Sequence, residues 1–129
     1  MPEWVAAVTA FLTTVSGTPY VYGGNSPGGF DCSGAVSVVA NIATGRDPYG
    51  SRFNTGNERA ALEARGFVPG TKPNRLVVGW NGHHTAATLP DGTPVSSGEG
   101  GGIQMGQGGG AYQPQFTNHY YLPCPECPT

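Results

Sequence analysis

Cys32 is the residue whose position most clearly suggests chemistry. It follows Asp31, a residue type that commonly caps helices, and it precedes a mostly apolar segment that ends at Gly45. This pattern predicts a helix that begins at Cys32, with Gly45 just beyond its C-terminus. A thiol in a first helical turn lies near unpaired backbone N–H groups and the positive end of the helix dipole, and both favour the thiolate. We therefore predict that Cys32 is a nucleophile with a depressed pKa.

A cysteine nucleophile needs a base that takes its proton, and histidine is the usual partner. The chain has three histidines. His83 and His84 open a β-prone segment, whereas His119 lies near the end of the chain and is expected at the surface or against substrate. The sequence thus offers two neighbouring candidates for the base.

His84 is the better of these two candidates. Adjacent residues on a strand face opposite sides, so at most one of them faces a cleft that holds Cys32. His83 adjoins the turn at 81–82, while His84 alternates along the strand with Ala86 and Thr88. We predict that His84 is the base and that His83 is solvated.

A third polar group usually orients the imidazole of such a pair through its other ring nitrogen. The next strand should supply it, and two choices stay open. Strand geometry favours Ser96, whereas chemistry favours the carboxylate of Glu99. The other candidates downstream are Ser97, Gln104 and His119.

The surrounding elements predict an α+β fold, with N-terminal helices packed on an antiparallel sheet of about five or six strands. Apolar residues at helical spacing indicate a first helix over 2–16, and a capping box at 55–58 precedes a short helix over 59–65 that Gly66 ends. Asp91-Gly92 indicates a hairpin between the second and third β-runs. The predicted strands are 76–80, 84–89 and 93–97, with further strands around 103–105 and 120–123.

Length and charge limit the possible functions. At 129 residues the chain fits one domain, predicted over 1–123, with a C-terminal tail over 124–129. The net charge is −2 and the six Lys and Arg residues are scattered, which argues against nucleic-acid binding. No apolar run reaches the length of a membrane span.

Two further cysteines, Cys124 and Cys127, form a Cys-x-x-Cys pair at the chain end. A single such pair without a second pair of ligands is weak evidence for zinc, so we expect a local disulfide or a frayed tail. We predict no metal and no cofactor. Three cysteines leave at least one thiol free, and Cys32 is the expected one.

Three segments carry a family resemblance. They read Pro-Tyr-Val-Tyr-Gly-Gly at 19–24, Asp-Cys-Ser-Gly at 31–34, and a histidine motif that ends in Thr-Leu-Pro-Asp-Gly over 82–92. In this order and spacing they resemble the NlpC-type family of papain-like cell-wall endopeptidases, across roughly residues 5–106. The exact wording of the cysteine and histidine motifs is also similar to peptidase modules of actinobacteriophage tail tape-measure proteins or endolysins.

The resemblance implies roles for particular residues. Cys32 is then the nucleophile and His84 the base, while Tyr20 lines the oxyanion side and Asp31 with Ser33 recognises the amine of a stem peptide. The family's third polar residue falls at Ser96, where a serine departs from the more usual His, Glu, Asn or Gln. A hydroxyl stabilises an imidazolium less than a carboxylate does, so Glu99 is kept as the alternative.

The resemblance also implies a reaction and a place of action. The expected reaction is hydrolysis of the γ-D-glutamyl to diaminopimelate (or lysine) amide of peptidoglycan stem peptides, through an acyl-enzyme. The expected setting is the bacterial cell wall, reached from a phage tail, a lysin or a secreted bacterial enzyme, by a domain that is monomeric in isolation. The alternative is a catalytically weakened module that binds cell wall or has a structural part in a phage tail.

Overall fold

The computed structural model describes residues 3–15, 25–26, 29–50, 52–98, 103–106 and 108–124. In these ranges it contains three α-helices and a six-stranded antiparallel sheet, which confirms the predicted α+β class. None of the helices in this part of the chain is long and apolar enough to cross a membrane.

The first two helices form one layer of the fold. Helix α1 spans Trp4–Val15, and its buried residues Val5, Val8 and Leu12 lie three and four positions apart, as the sequence predicted. Helix α2 spans Cys32–Ala43, and Gly45 follows it with a φ of +76°, a left-handed conformation that suits glycine after a helix. Helix α2 packs between α1 and the sheet.

The strands are β1 Asn25–Ser26, β2 Gly29–Phe30, β3 Val68–Pro69, β4 Val77–Trp80, β5 Thr85–Thr88, β6 Pro94–Ser97, β7 Ile103–Met105 and β8 Asn118–Tyr121. Six of them form the sheet in the order β3-β8-β4-β5-β6-β7, and each neighbouring pair is antiparallel. The predicted Asp91-Gly92 hairpin is confirmed, because Leu89 donates its N–H to the Thr93 carbonyl at 2.8 Å. A separate two-stranded ribbon, β1 with β2, precedes α2.

The two faces of the sheet have different neighbours. Ala87 belongs to the hydrophobic core that β4, β5 and β6 share with α2. On the opposite face, Thr88 accepts a hydrogen bond from the N–H of Ala111 at 2.9 Å. Ala111 lies in a short 3-10 helix, Gly110–Tyr112, that contacts β4, β5 and β6. The central strands are therefore covered on both faces, by α2 on one and by the 3-10 helix on the other.

Helix α3 spans Glu58–Ala64, but the predicted capping box does not form. The turn before α3 is held by Asn54, whose side-chain oxygen accepts the N–H of Gly56 at 2.8 Å. Glu58 is fully buried and turns toward the sheet rather than back to its own helix terminus. A long-range contact therefore overrides the local capping pattern.

Gly79 permits the close approach of the 3-10 helix to β4. A Cβ at this position would overlap the Ala111 carbonyl and lie 2.8 Å from Cδ2 of Phe116. Gly82, at the turn after β4, has nothing within 4 Å of its own Cβ position.

We predict that Gly79→Ala destabilises the protein by about 2 kcal/mol or more, because Ala111 and Phe116 must shift. Urea unfolding followed by circular dichroism measures this difference. The matched variant Gly82→Ala should change the free energy of unfolding by less than about 0.5 kcal/mol. Equal stabilities for the two variants would contradict this account of the sheet's outer face.

Candidate active site

Cys32 is the first residue of α2, as the sequence predicted. The N-cap is Asp31, whose Oδ1 accepts the N–H of Gly34 at 2.7 Å, and whose carbonyl accepts the N–H of Ala35 at 3.0 Å. This cap fixes the direction in which α2 begins. Cys32 is therefore held on a rigid helix end.

The Cys32 thiol is free and buried, and its pKa is raised, which corrects the prediction of a depressed pKa. Burial is the main cause, because a thiolate loses solvation in a nonpolar site. Backbone hydrogen bonds from Thr85 and Ser33 lower the pKa, and the negative charges of Asp31 and Glu58 raise it. This site therefore favours the thiol over the thiolate in the free protein.

Arg52 joins Asp31 and Ser33 in a cluster beside the thiol. Its Nη2 lies 2.5 Å from Oδ2 of Asp31 and 3.2 Å from Oγ of Ser33, and Ser33 in turn donates to Asp31 at 3.3 Å. Asp31 and Ser33 are both buried, whereas a quarter of the Arg52 side chain is exposed. Both carboxylate oxygens of Asp31 are thus engaged within the protein.

His84 lies at the turn that leads into β5. Asn81 shapes this turn, because its Oδ1 accepts the N–H groups of His83 at 2.7 Å and His84 at 2.8 Å. His83 is exposed, as expected, and His84 is half-buried. The His84 ring stacks on Phe116, with 5.7 Å between ring centroids.

The sequence assigned the β5 face of Ala86 and Thr88 to the cleft that holds Cys32, and the structure corrects this assignment. Ala87 faces the core with α2, so Ala86 and Thr88 face the 3-10 helix. The residue whose backbone reaches the Cys32 thiol is Thr85, directly after His84.

The third predicted member of the site, Ser96, lies on β6 and is fully buried. Its Oγ has no hydrogen-bond partner among the described residues, and so makes none to His84 there. Glu99 and Tyr20 lie outside the described residues. His119 lies on β8 and its Nε2 is 3.0 Å from the Ala111 carbonyl, so this ring fastens the 3-10 helix to the sheet.

Glu58 and Thr85 form a buried polar contact next to Cys32. Oε2 of Glu58 is 2.7 Å from Oγ1 of Thr85, and Oε1 has no hydrogen-bond partner in the described part of the chain. Burial raises the pKa of Glu58 to about 8, and the hydrogen bond with Thr85 lowers it to a smaller extent. Glu58 is therefore a protonated, neutral acid near neutral pH.

Within the described ranges, no three His, Cys, Asp or Glu side chains are grouped as a metal site requires. Cys124 is disulfide-bonded, and Cys127 lies outside the described residues. A cavity of about 380 Å³ is lined by Trp4, Arg65, Arg75 and Cys124 among others, and its lining includes none of the predicted site residues.

Sequence reasoning missed Arg52 and did not connect Glu58 with Thr85. Arg52 lies 21 positions from Asp31, and Glu58 lies 27 positions from Thr85, so no local pattern joins them. The sequence did contain one signal for the Glu58 contact, because an acidic residue lies at position 58 in a helix whose neighbouring residues pack inward. The capping box explained that residue locally, without a distant partner.

Comparison with known proteins confirms the family resemblance over part of the chain. Residues 17–64 match the NlpC/P60 family. Protein P54 of Enterococcus faecium is 52% identical over 42 residues, which make up 33% of this chain and 8% of that protein. The chain thus spans less than a tenth of the length of this curated relative. No solved structure matches the chain.

We predict that stability falls as pH rises from about 4.5 to about 8, because Glu58 keeps its proton in the folded state and loses it on unfolding. Over this window the unfolded state binds fewer protons, so a rise in pH favours unfolding. The loss is on the order of 4 kcal/mol, since the pKa of Glu58 rises from 4.5 to about 8 and each tenfold change in proton affinity corresponds to about 1.4 kcal/mol.

Urea unfolding across this pH window, on the natural chain and on Glu58→Gln, measures the effect. The glutamine variant should show a flatter dependence, because its amide does not titrate. The same slope in both proteins would mean that Glu58 has an ordinary pKa.

Proposed function

Because residues 17–64 match the NlpC/P60 family, whose members are typically cysteine peptidases acting on the cell wall, we propose that this chain is a peptidoglycan endopeptidase. The bond cleaved is the γ-D-glutamyl to diaminopimelate amide of stem peptides. The observation that carries the proposal is a free, buried thiol on the first residue of a capped helix, hydrogen-bonded by the backbone of the strand that follows His84.

The first chemical step is attack by Cys32 Sγ on the amide carbonyl. His84 takes the thiol proton as the carbon–sulfur bond forms, which a raised thiol pKa requires. His84 directly precedes Thr85, whose backbone forms a hydrogen bond with the thiol, and this adjacency supports His84 as the base. The N–H of Cys32 has no intrahelical acceptor and supports the developing oxyanion, with Tyr20 on the same side.

The second half of the reaction releases the products. His84 returns its proton to the leaving amine, and the thioester that remains is hydrolysed by water that His84 activates. Asp31 and Ser33 recognise the stem-peptide amine next to Arg52, which holds the Asp31 carboxylate in place. Ser96, or alternatively Glu99, orients His84.

A second candidate function is a weakened module that binds cell wall, or that has a structural part in a phage tail. The buried Ser96 hydroxyl favours it, because it makes no hydrogen bond to His84 among the described residues. The similarity of the cysteine and histidine motifs to phage modules supports a phage-encoded parent, a tail protein or a lysin, for either function.

We predict that the protein releases new amino termini from diaminopimelate-type peptidoglycan. Cys32→Ala should lower the rate at least about a thousandfold and His84→Ala at least about a hundredfold, because they remove the nucleophile and the base. His83→Ala is the matched control and should leave the rate nearly unchanged, since His83 is exposed. If Cys32→Ala released amines at the natural rate, the proposed cysteine-peptidase activity would be refuted. Binding to cell walls without cleavage by the natural chain or any variant would favour the second function.

For the third residue, we predict that Ser96→Ala lowers the cleavage rate less than His84→Ala does, because only the latter removes the base itself. Glu99→Ala, measured in parallel, identifies which side chain orients His84. The orienting residue is the one whose removal lowers the rate more and also shifts the acidic limb of the pH–rate profile. A Ser96→Ala loss as large as that of His84→Ala would contradict the prediction.

A further inference from the structure

The hydroxyl of Thr85 has two acceptors and one hydrogen. Its Oγ1 lies 2.7 Å from Oε2 of Glu58 and 2.9 Å from the carbonyl oxygen of Gly79. A carbonyl oxygen only accepts hydrogen bonds, and an ionised carboxylate also only accepts. If Glu58 were ionised, two acceptors would compete for the single Thr85 hydrogen, and one of the two close oxygen pairs would have no hydrogen between its atoms.

A protonated Glu58 removes this conflict. Its Oε2 then donates to Oγ1 of Thr85, and the Thr85 hydroxyl donates to the Gly79 carbonyl, so each of the two close oxygen pairs has a hydrogen between its atoms. Complete burial of the Glu58 side chain and the absence of a described partner for Oε1 also oppose a negative charge here. Burial raises the pKa of Glu58, which agrees with a neutral carboxyl at this position.

We propose that Glu58, as a neutral acid, is a positioning residue for Cys32. Its hydrogen bond to Thr85 holds the Thr85 backbone against the thiol. The hydrogen bonds run from the Glu58 carboxyl through the Thr85 hydroxyl to the Gly79 carbonyl. The Thr85 backbone forms a further hydrogen bond with the Cys32 thiol. This links the start of α3 to the start of α2 through one residue of β5.

Protonation of Glu58 also sets the charge near the thiol. An ionised Glu58 opposes a thiolate at Cys32, as Asp31 does. Among the described residues, Arg52, which is bound to Asp31, and His84, which precedes Thr85, are the further charged or titratable groups near this pair. Loss of the Glu58 proton therefore makes the thiol harder to ionise and breaks the hydrogen-bond chain that holds Thr85.

The catalytic consequence rests on the proposed function, but the effect on the thiol does not. The test is the pH dependence of Cys32 alkylation by iodoacetamide, quantified on the Cys32 peptide by mass spectrometry. Glu58→Gln keeps the side-chain shape and a neutral donor toward Thr85, and cannot become charged. The matched control is Glu63→Gln on the same helix, since Glu63 is exposed and instead accepts from Tyr120 Oη at 2.6 Å.

We expect the alkylation midpoint of Glu58→Gln to lie at lower pH than that of the natural chain. The rate on the rising limb should be at least about threefold higher, because above a pH of about 8 the natural chain carries an ionised Glu58 near the thiolate and the glutamine variant does not. Glu63→Gln should match the natural chain. An unshifted or raised midpoint in Glu58→Gln would overturn the proposal.

A second measurement covers the case in which Glu58→Gln does not fold. Carboxyl carbon NMR of the natural chain, labelled at glutamate, should show one carboxyl still protonated at a pH about two units above the ordinary glutamate value of about 4.3. All glutamates ionised at that pH would also overturn the proposal. Absence of peptidoglycan cleavage together with a shifted midpoint would refute only the proposed function, whereas cleavage with an unshifted midpoint would refute only the role of Glu58.

Discussion

The arrangement of the candidate site depends on the hydrogen bonds of Thr85. Its backbone forms a hydrogen bond with the Cys32 thiol, and its hydroxyl lies between the Glu58 carboxyl and the Gly79 carbonyl. Buried polar groups must be paired, since an unpaired one costs about 1–3 kcal/mol. This requirement fixes the first residue of β5 against the first residues of α2 and α3. The Cys32 thiol therefore contacts the sheet at Thr85, the first residue of β5.

The remaining contacts hold the segments on either side of that point. Arg52 ties the loop after α2 to the Asp31 cap at the start of the same helix. Asn81 shapes the turn that presents His84 before β5 begins. Gly79 lets the 3-10 helix approach the sheet closely, and Phe116, which follows that helix, stacks on the His84 ring. Backbone geometry and buried polar contacts together position the two residues proposed to react.

Elements with a strong local signal could be predicted from the sequence. The spacing of Val5, Val8 and Leu12 identified α1, Asp31 and Gly45 bracketed α2, and Asp91-Gly92 identified the hairpin between β5 and β6. Strand β3 was missed, because two residues carry no period of their own. The α+β class follows from such local signals, since each needs only neighbouring residues.

The electrostatics of the site could not be predicted in this way. The position of Cys32 at a helix start was read correctly, but the direction of its pKa was not, because burial under the sheet outweighs the local effect of the helix. Glu58 fits a capping box as a sequence pattern, yet its partner lies on β5, 27 positions away. Charge and solvation at a buried site depend on packing between distant segments, which one sequence does not reveal.

The most direct test of the proposed nucleophile is mass spectrometry of the protein, quenched in acid while it turns over a diaminopimelate-type stem peptide. The account predicts a thioester on the Cys32 peptide, with the added mass of the acyl part of the substrate, and no such mass on Cys32→Ala. Turnover that continues with no acyl mass on Cys32, or with that mass on another residue, would contradict it.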